Sequence, residues 1–575
     1  MFLPPPPRRS RKIIRALLPL ALAAASSALG AAVPFDLVIE NGRIIDGTGS
    51  PWYAADLGIR DGRIAQIGHL AGAPATRRID ARRQIVAPGF IDMLGQSELT
   101  LLVNPQVPSK IFQGITTEVT GEGSSAAPLN PAIIQADLVT YQHLHVTPDW
   151  RDFTGYFARL EKQGLGINFA SYVGATQVRR MVLGDDNRAP NETELARMTT
   201  LVREAMQQGA VGVSTALQYA PAPYASTEEL IALAAEAARL GGIYATHLRS
   251  EGGTIIAALD EAIRIGREAR IPVEIWHLKA AGKPNWGRMP EIVAKIEAAR
   301  HSGLDISADT YAYTAWSNSM SAFVPPWAHD GGDARLLERL RDPAMRRRII
   351  QEMETRDADW DNEWQEIPGP ESVLITSVQN PALLPLQGKN LAEIAKLRGQ
   401  PPIEALFDVL IEDKAFTSVA VFAMAQEDVT LALRQPWVSV DNDSEGTAPT
   451  GLLATDLPHP RAYGTFPRIL RKYVREEGVL SLEDAIRKFS ALPAQRMRFT
   501  DRGVLKQNMW ADIVIFDPEK IRDLATFENP HQLAVGMDYV LVNGVPVIEQ
   551  GKGTGRLPGK VLRGAGYAAT PAASR

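Results

Sequence analysis

The chain has nine histidines and no cysteine, so a protein-held metal would rest on imidazole and carboxylate groups. Thiolate nucleophiles and disulfides are excluded for the same reason. Four residues of suitable type stand at the ends of short apolar runs: Glu122 in Gly121-Glu122-Gly123, His247 in Thr246-His247-Leu248-Arg249, His277 in His277-Leu278-Lys279, and Asp443 in Asn442-Asp443-Ser444. Two imidazoles and a carboxylate make a three-ligand zinc set that leaves one position for water. Asp443 is then the group left to take and return protons. Alone, a strand histidine is more often a hydrogen-bonded structural residue than a ligand, and Glu122 reads as a simple loop residue. Their joint placement is what points to chemistry.

That placement needs a parallel barrel, because such a fold gathers the C-terminal ends of its strands at one mouth. Continuous apolar runs separated by amphipathic helices predict eight strands: Gly89–Met93, Thr116–Gly121, Ile167–Gly174, Val211–Leu217, Ile243–Arg249, Val273–Lys279, Asp305–Tyr311 and Trp437–Asp443. Ser226 with Glu229 forms a capping box for one helix, and Gly241-Gly242 suits its end. The last two strands are too far apart for a single βα unit, so residues about 320–435 hold an insertion, with Asp333–Asp361 as its helical part. Segments 33–86 and 500–563 are rich in β signals. Turns are expected at Asn41-Gly42, Asp61-Gly62 and Asn543-Gly544. The expected fold class is therefore α/β: a (β/α)8 TIM-like barrel over residues 87–499, with a small β-sandwich made from both chain ends.

Composition points to a small-molecule partner. With 45% hydrophobic and 22% charged residues and a net charge of −5, the chain offers no basic stripe for nucleic acid. Residues 1–32 read as an export signal. Arg8, Arg9, Arg11, Lys12 and Arg15 precede an apolar stretch, Ala16–Ala25, and small residues allow cleavage near Gly30 or Ala32. An uncleaved anchor is the other reading of that stretch. The expected location is the periplasm, with no further membrane contact.

Several motifs resemble the D-aminoacylase (N-acyl-D-amino-acid deacylase) family of the amidohydrolase superfamily. Ile85-Val-Ala-Pro-Gly-Phe-Ile-Asp92 is similar to the superfamily's entry to its first strand. Thr246-His247-Leu248-Arg249, His277-Leu278-Lys279, Asn285-Trp286-Gly287, Asp309-Thr310-Tyr311-Ala312-Tyr313, Pro458-His-Pro-Arg461 and Trp510-Ala-Asp-Ile-Val-Ile-Phe-Asp517 resemble the D-aminoacylase branch. The resemblance implies hydrolysis of the amide bond of an N-acyl-D-amino acid, or of a dipeptide with a D-residue. It also implies Lys279 and Tyr311, with Tyr219 and Ser317 behind them, as groups that hold the substrate carboxylate. Arg249, two residues beyond His247, is expected to point the same way as that histidine.

The departures from the family are specific. Its first strand ends in a His-x-His pair, where this chain has Leu94 and Gln96; its cysteine ligand after the second strand is Glu122 here. Some deacetylases acting on N-acetylglucosamine 6-phosphate also lack the pair and keep one metal on a Glu-His-His set. By that likeness one divalent ion, Zn2+ by ligand chemistry, is expected on Glu122, His247 and His277, with Asp443 as general base and acid. The fourth strand region, Val211–Tyr219, has no lysine to bridge two metals as in hydantoinases. A metal-free binding protein on the same fold is the reading from another class. His143-Leu144-His145 has ligand-like spacing but falls in a helix–loop region, and is expected to be a surface pair.

Overall fold

The computed structural model describes residues 1–4, 33–355 and 360–568. The expected export signal lies almost wholly outside them. No helix among the described residues is long and apolar enough to cross a membrane.

Eight parallel strands form the centre of an α/β, TIM-barrel-like domain: β1 (Phe90–Asp92), β2 (Ile115–Thr120), β3 (Asn168–Ser171, continued by Val173–Gly174), β4 (Gly212–Ala216), β5 (Ile243–His247), β6 (Val273–Ile275), β7 (Ile306–Thr310) and β8 (Val438–Val440). β1, β2 and Asn168–Ser171 make one sheet; Val173–Gly174 and β4 to β8 make the next, in sequence order. A parallel bridge between Gly95 and Ser444 brings the ends of β1 and β8 together. Every residue of β2, β4, β5 and β7 is buried, as covering by helices requires.

The strands are shorter at their C-terminal ends than the apolar runs predict. β6 stops at Ile275, and two residues later His277 has φ 37° while its N–H donates to Asp309 Oδ1 at 2.6 Å. Backbone that turns a side chain into the mouth has left the ladder, which hydrophobicity does not reveal.

Helix boundaries follow local chemistry. Ser226 caps Thr227–Arg239 by accepting from the Glu229 N–H at 3.2 Å. Only half the expected capping box forms, because the Glu229 carboxylate is taken by buried Arg179 at 2.8 Å. A full box closes Glu192–Gln208, through Asn191 and Glu194.

The β-rich ends join in one nine-stranded sheet, where Ile513–Phe516 pairs antiparallel with Ile85–Pro88. Asp61-Gly62 and Asn543-Gly544 are hairpin turns, as expected. Asn41-Gly42 is not. It lies inside a single strand, Phe35–Ile44, as a bulge with Asn41 at φ 58°, and Asn tolerates that conformation in either setting. Between β7 and β8 the inserted segment builds a three-stranded antiparallel sheet, Trp316–Ser319, Val373–Ser377 and Ser418–Val421, with helices including Asp333–Arg341, Pro343–Met353 and Pro402–Glu412. It therefore begins a few residues before 320 and ends before helix Gln426–Arg434, which leads into β8.

Candidate metal centre

Glu122, His247 and His277 converge from β2, β5 and β6, although 155 residues separate the first from the last. One ligand atom from each lies within 4.8 Å of the other two. His247 Nδ1 and His277 Nε2 are 3.1 Å apart, and each is 3.3 Å from Glu122 Oε1. Both imidazoles are almost fully buried.

The outer face of each ligand is engaged. His247 Nε2 meets Gln218 Oε1 at 2.8 Å, and the Tyr219 ring packs 4.9 Å from its ring. His277 Nδ1 lies 2.8 Å from Glu251 Oε1 and 2.7 Å from Lys279 Nζ. Such partners fix ring orientation and make the inner nitrogen a better donor. Burial pushes the Glu122 carboxyl up, but hydrogen bonds from His247 and His277 outweigh it and hold Glu122 well below the usual carboxylate range. Burial and then Lys279 push His277 down, while Glu251 and Asp443 prevail and raise it to about 10. The surroundings thus favour positive charge among these donors, and two nitrogens with one carboxylate oxygen are the donor set a divalent cation takes.

Asp443 follows β8 in a left-handed conformation, φ 44°. Asp and His at positive φ cost roughly 1–3 kcal/mol, a strain that clusters at active sites. Asp443 Oδ2 pairs with Arg461 Nη1 at 2.8 Å, and its Oδ1 accepts from Gln96 Nε2 at 3.2 Å. Gln96 also donates to Glu122 Oε2 at 2.7 Å, so it bridges the metal ligand and the acid. Burial raises the Asp443 carboxyl above its ordinary value, against the pull of Arg461 and His277.

A cleft of about 1000 Å³ opens over these groups, lined by Gln96, Glu122, His247, His277, Asp443 and Arg461 among others. The residues proposed from sequence to hold substrate fall into different places. Lys279 lines the cleft, but its ammonium is held between the Glu251 carboxylate oxygens, both at 2.8 Å. Tyr219 also lines it, against His247. Ser317 lines it too, with its hydroxyl donating to the Val419 carbonyl at 2.8 Å. Tyr311 is buried with its hydroxyl 3.8 Å from Met424 Sδ, and its ring lies beneath the Arg461 guanidinium at 4.7 Å. Arg249 also lines the cleft, but its guanidinium turns to Glu261 and the carbonyls of Pro223 and Ala225, at 2.8–3.0 Å. Strand alternation alone set its expected direction, and β5 ends at His247. His143 closes helix Leu138–His143 and lines the cleft, while His145 has φ 53°.

Gln218, Glu251 and Arg461 carry much of this geometry and were not singled out by spacing. Gln218 follows β4, and Glu251 lies four residues past His247. Arg461 sits in the Pro458–Arg461 motif, whose place at the mouth only the fold reveals.

The amidohydrolase family model matches residues 77–548, and a model of the urease alpha-subunit N-terminal domain matches residues 12–89. D-aminoacylase of Alcaligenes xylosoxydans is 38% identical over 92% of this chain and 98% of that protein. N-acyl-D-glutamate deacylase of the same organism is 35% identical over 94% and 99%. Among solved structures, an N-acyl-D-glutamate deacylase from Bordetella bronchiseptica superposes with a TM-score of 0.78 at 35% identity, covering 92% of this chain and all of that one. It was solved with zinc and a phosphonate inhibitor that mimics the tetrahedral intermediate. A D-aminoacylase studied for one-metal activation and second-metal attenuation gives 0.76 at 35% identity, with the same coverage. The chain belongs to the amidohydrolase family, on the branch that holds these D-aminoacylases and N-acyl-D-amino-acid deacylases. It is an amide-bond hydrolase of that metal-dependent class.

Proposed function

We propose that this chain deacylates N-acyl-D-amino acids with one divalent ion, Zn2+ by its donors, held by Glu122, His247 and His277 in a complete (β/α)8 barrel. The observation that carries the reading is the convergence of those three donors, each backed from behind, beside a strained acid. The bound ion supplies a Lewis-acid centre that polarises an acyl oxygen and acidifies water. Asp443 takes the proton of the attacking water and delivers it to the departing amine nitrogen, leaving a carboxylic acid and an amine that then ionise to carboxylate and ammonium. Its raised carboxyl suits both steps. Gln96 supports a count of one. At the place of the family's second strand-one histidine, its amide hydrogen-bonds both Glu122 and Asp443.

The substrate carboxylate meets two fixed cations at the mouth, Lys279 and Arg461, with Tyr219 and Ser317 shaping the cleft beside them. Because Lys279 is already paired with Glu251, its attraction is shared, and Arg461 adds the second charge. A metal-free binding protein is the less favoured reading, since a decayed site gains nothing from Gln218 and Glu251 behind the imidazoles. The basic and apolar run at residues 8–25 supports export to the periplasm.

Elemental analysis of protein purified without chelator tests the reading, alongside Glu122→Ala and an assay on N-acetyl-D-amino acids. The expected result is about one zinc per chain, lost with activity in the variant. Two ions per chain would overturn the count, and activity without metal would overturn the chemistry.

A further inference from the structure

Beyond the metal ligands and Asp443, one short stretch of the insertion sends three acids into the cleft: Asp361, Glu363 and Glu366. They are 8%, 2% and 7% exposed. Their partners are neutral. Asp361 accepts from Ser250 Oγ at 2.6 Å and from the Glu251 N–H at 3.2 Å. Glu363 Oε1 accepts from Gln218 Nε2 at 2.7 Å and Asn318 Nδ2 at 2.5 Å, with the Trp316 indole beside the group. Glu366 Oε1 accepts from the Gly253 N–H at 2.9 Å and Asn285 Nδ2 at 3.5 Å. Among the described residues, no cationic side chain comes within 4.0 Å of any of the three carboxylates.

Glu363 and Glu366 each keep a second oxygen, Oε2, that is buried and accepts no hydrogen bond from the described residues. The seat of Glu366 is built for it: a side chain at Gly252 would strike its carboxylate, and one at Gly282 its stem. Aromatic rings of Tyr219, Trp316, Trp327 and Trp360 line the same cleft. Buried carboxylates without a counter-charge are costly. A cleft lined by both carboxylates and aromatic side chains is one that suits an organic cation. A metal ion fits less well, since the one group of three donors within 4.8 Å of each other, among the described residues, is Glu122, His247 and His277.

We propose that Asp361, Glu363 and Glu366 form a subsite for a positively charged group of the substrate, an ammonium or guanidinium. That group is carried either on the D-residue's side chain or at the α-carbon of the acyl part, as in a dipeptide. The inference rests on the deacylase reading and names the substrate class within it. The subsite adjoins the reacting centre, because Gln218 joins Glu363 to His247 through bonds of 2.7 and 2.8 Å. Burial, and then the charge of Asp361, pushes Glu363 up to about 8, a bias that a bound cation reverses.

Two isosteric pairs separate the sources of charge in the zinc-loaded full chain: N-acetyl-D-lysine against N-acetyl-D-2-aminoheptanoic acid, and glycyl-D-alanine against N-propionyl-D-alanine. The cationic member of at least one pair should show a kcat/KM about tenfold or more above its neutral partner, as a charged hydrogen bond gives. The preferred pair tells side chain from acyl part. Glu363→Gln and Glu366→Gln, measured separately, should each shrink that ratio, which cancels any general loss of activity or folded protein. Neutral members turned over as well as the cationic ones, or a ratio that both variants leave intact, would overturn the subsite while leaving the deacylase reading standing. No turnover of any of the four compounds, or of other neutral N-acetyl-D-amino acids, would overturn both.

Discussion

Two buried charged groupings lie within a few residues of one another along β1, β2 and β8, and they are built to opposite ends. In the first, Lys110 is fully buried and donates to Asp92 Oδ2 and the Ser444 carbonyl, both at 2.7 Å, with Glu118 at 3.7 Å. Asp92 Oδ1 in turn accepts from the Asn442 N–H at 2.8 Å, and Ser97 Oγ links Glu118 to the Gly446 N–H at 2.6 Å on each side. Ser444 borders the cleft, but none of the charged side chains of this grouping does. In the second, Glu122, His247, His277 and Asp443 are nearly as buried, yet all four line the cleft. The first grouping spends its charge on backbone and so fixes the residues on either side of Asp443. The second leaves its charge available. Burial of titratable groups does not by itself mark a site; the direction in which their free atoms face does.

Substitutions in the two groupings should therefore fail in different ways. The largest effect is expected from Asp443→Asn. Turnover should fall by about 10²–10⁴-fold while zinc content and thermal stability stay near those of the parent, because the amide keeps the shape but cannot carry the proton. Retained turnover would remove Asp443 from the chemistry. Lys110→Met comes next and should act on folding. It strands two carboxylates in a dry interior, at a cost of about 3–5 kcal/mol. A urea titration reads this directly, and a variant as stable as the parent would show that the first grouping is not a scaffold. Any activity left in the folded fraction should fall as well, since the Ser444 carbonyl loses its anchor.

The same contrast explains what could be read from the sequence. The eight strands were legible because buried parallel strands are continuous apolar runs, and the meeting of Glu122, His247, His277 and Asp443 at one cleft was legible because each lies at or near the end of such a run. Lys110 gave no signal, as a lysine in a short helix is normally solvent-facing. Gln218, Glu251 and Arg461 gave none either, since their work depends on which loops meet at the mouth. Arg249 was misdirected by counting residues past the strand's true end, and Tyr311 was placed by motif rather than by the packing of its ring under Arg461. Local pattern reveals what a strand carries; loop geometry, which decides what a polar side chain faces, is a tertiary property.

The smallest effect, and the one that most sharpens the comparison, is expected from Gln218→Ala. Gln218 stands apart from the Lys110 grouping; its Oε1 fixes the outer nitrogen of His247 at 2.8 Å, while its Nε2 donates to Glu363 at 2.7 Å. Loss of such a partner typically costs about 10–100-fold in metal affinity, because the ring is free to turn and its inner nitrogen is a poorer donor. Competition with a graded series of chelators measures that affinity without any assay of turnover. A drop in affinity with an unchanged urea midpoint would place Gln218 with the second grouping, as a residue that orients a ligand. An unchanged affinity with a lowered midpoint would place it with the first, and would mean that the bonds behind the imidazoles are structural after all.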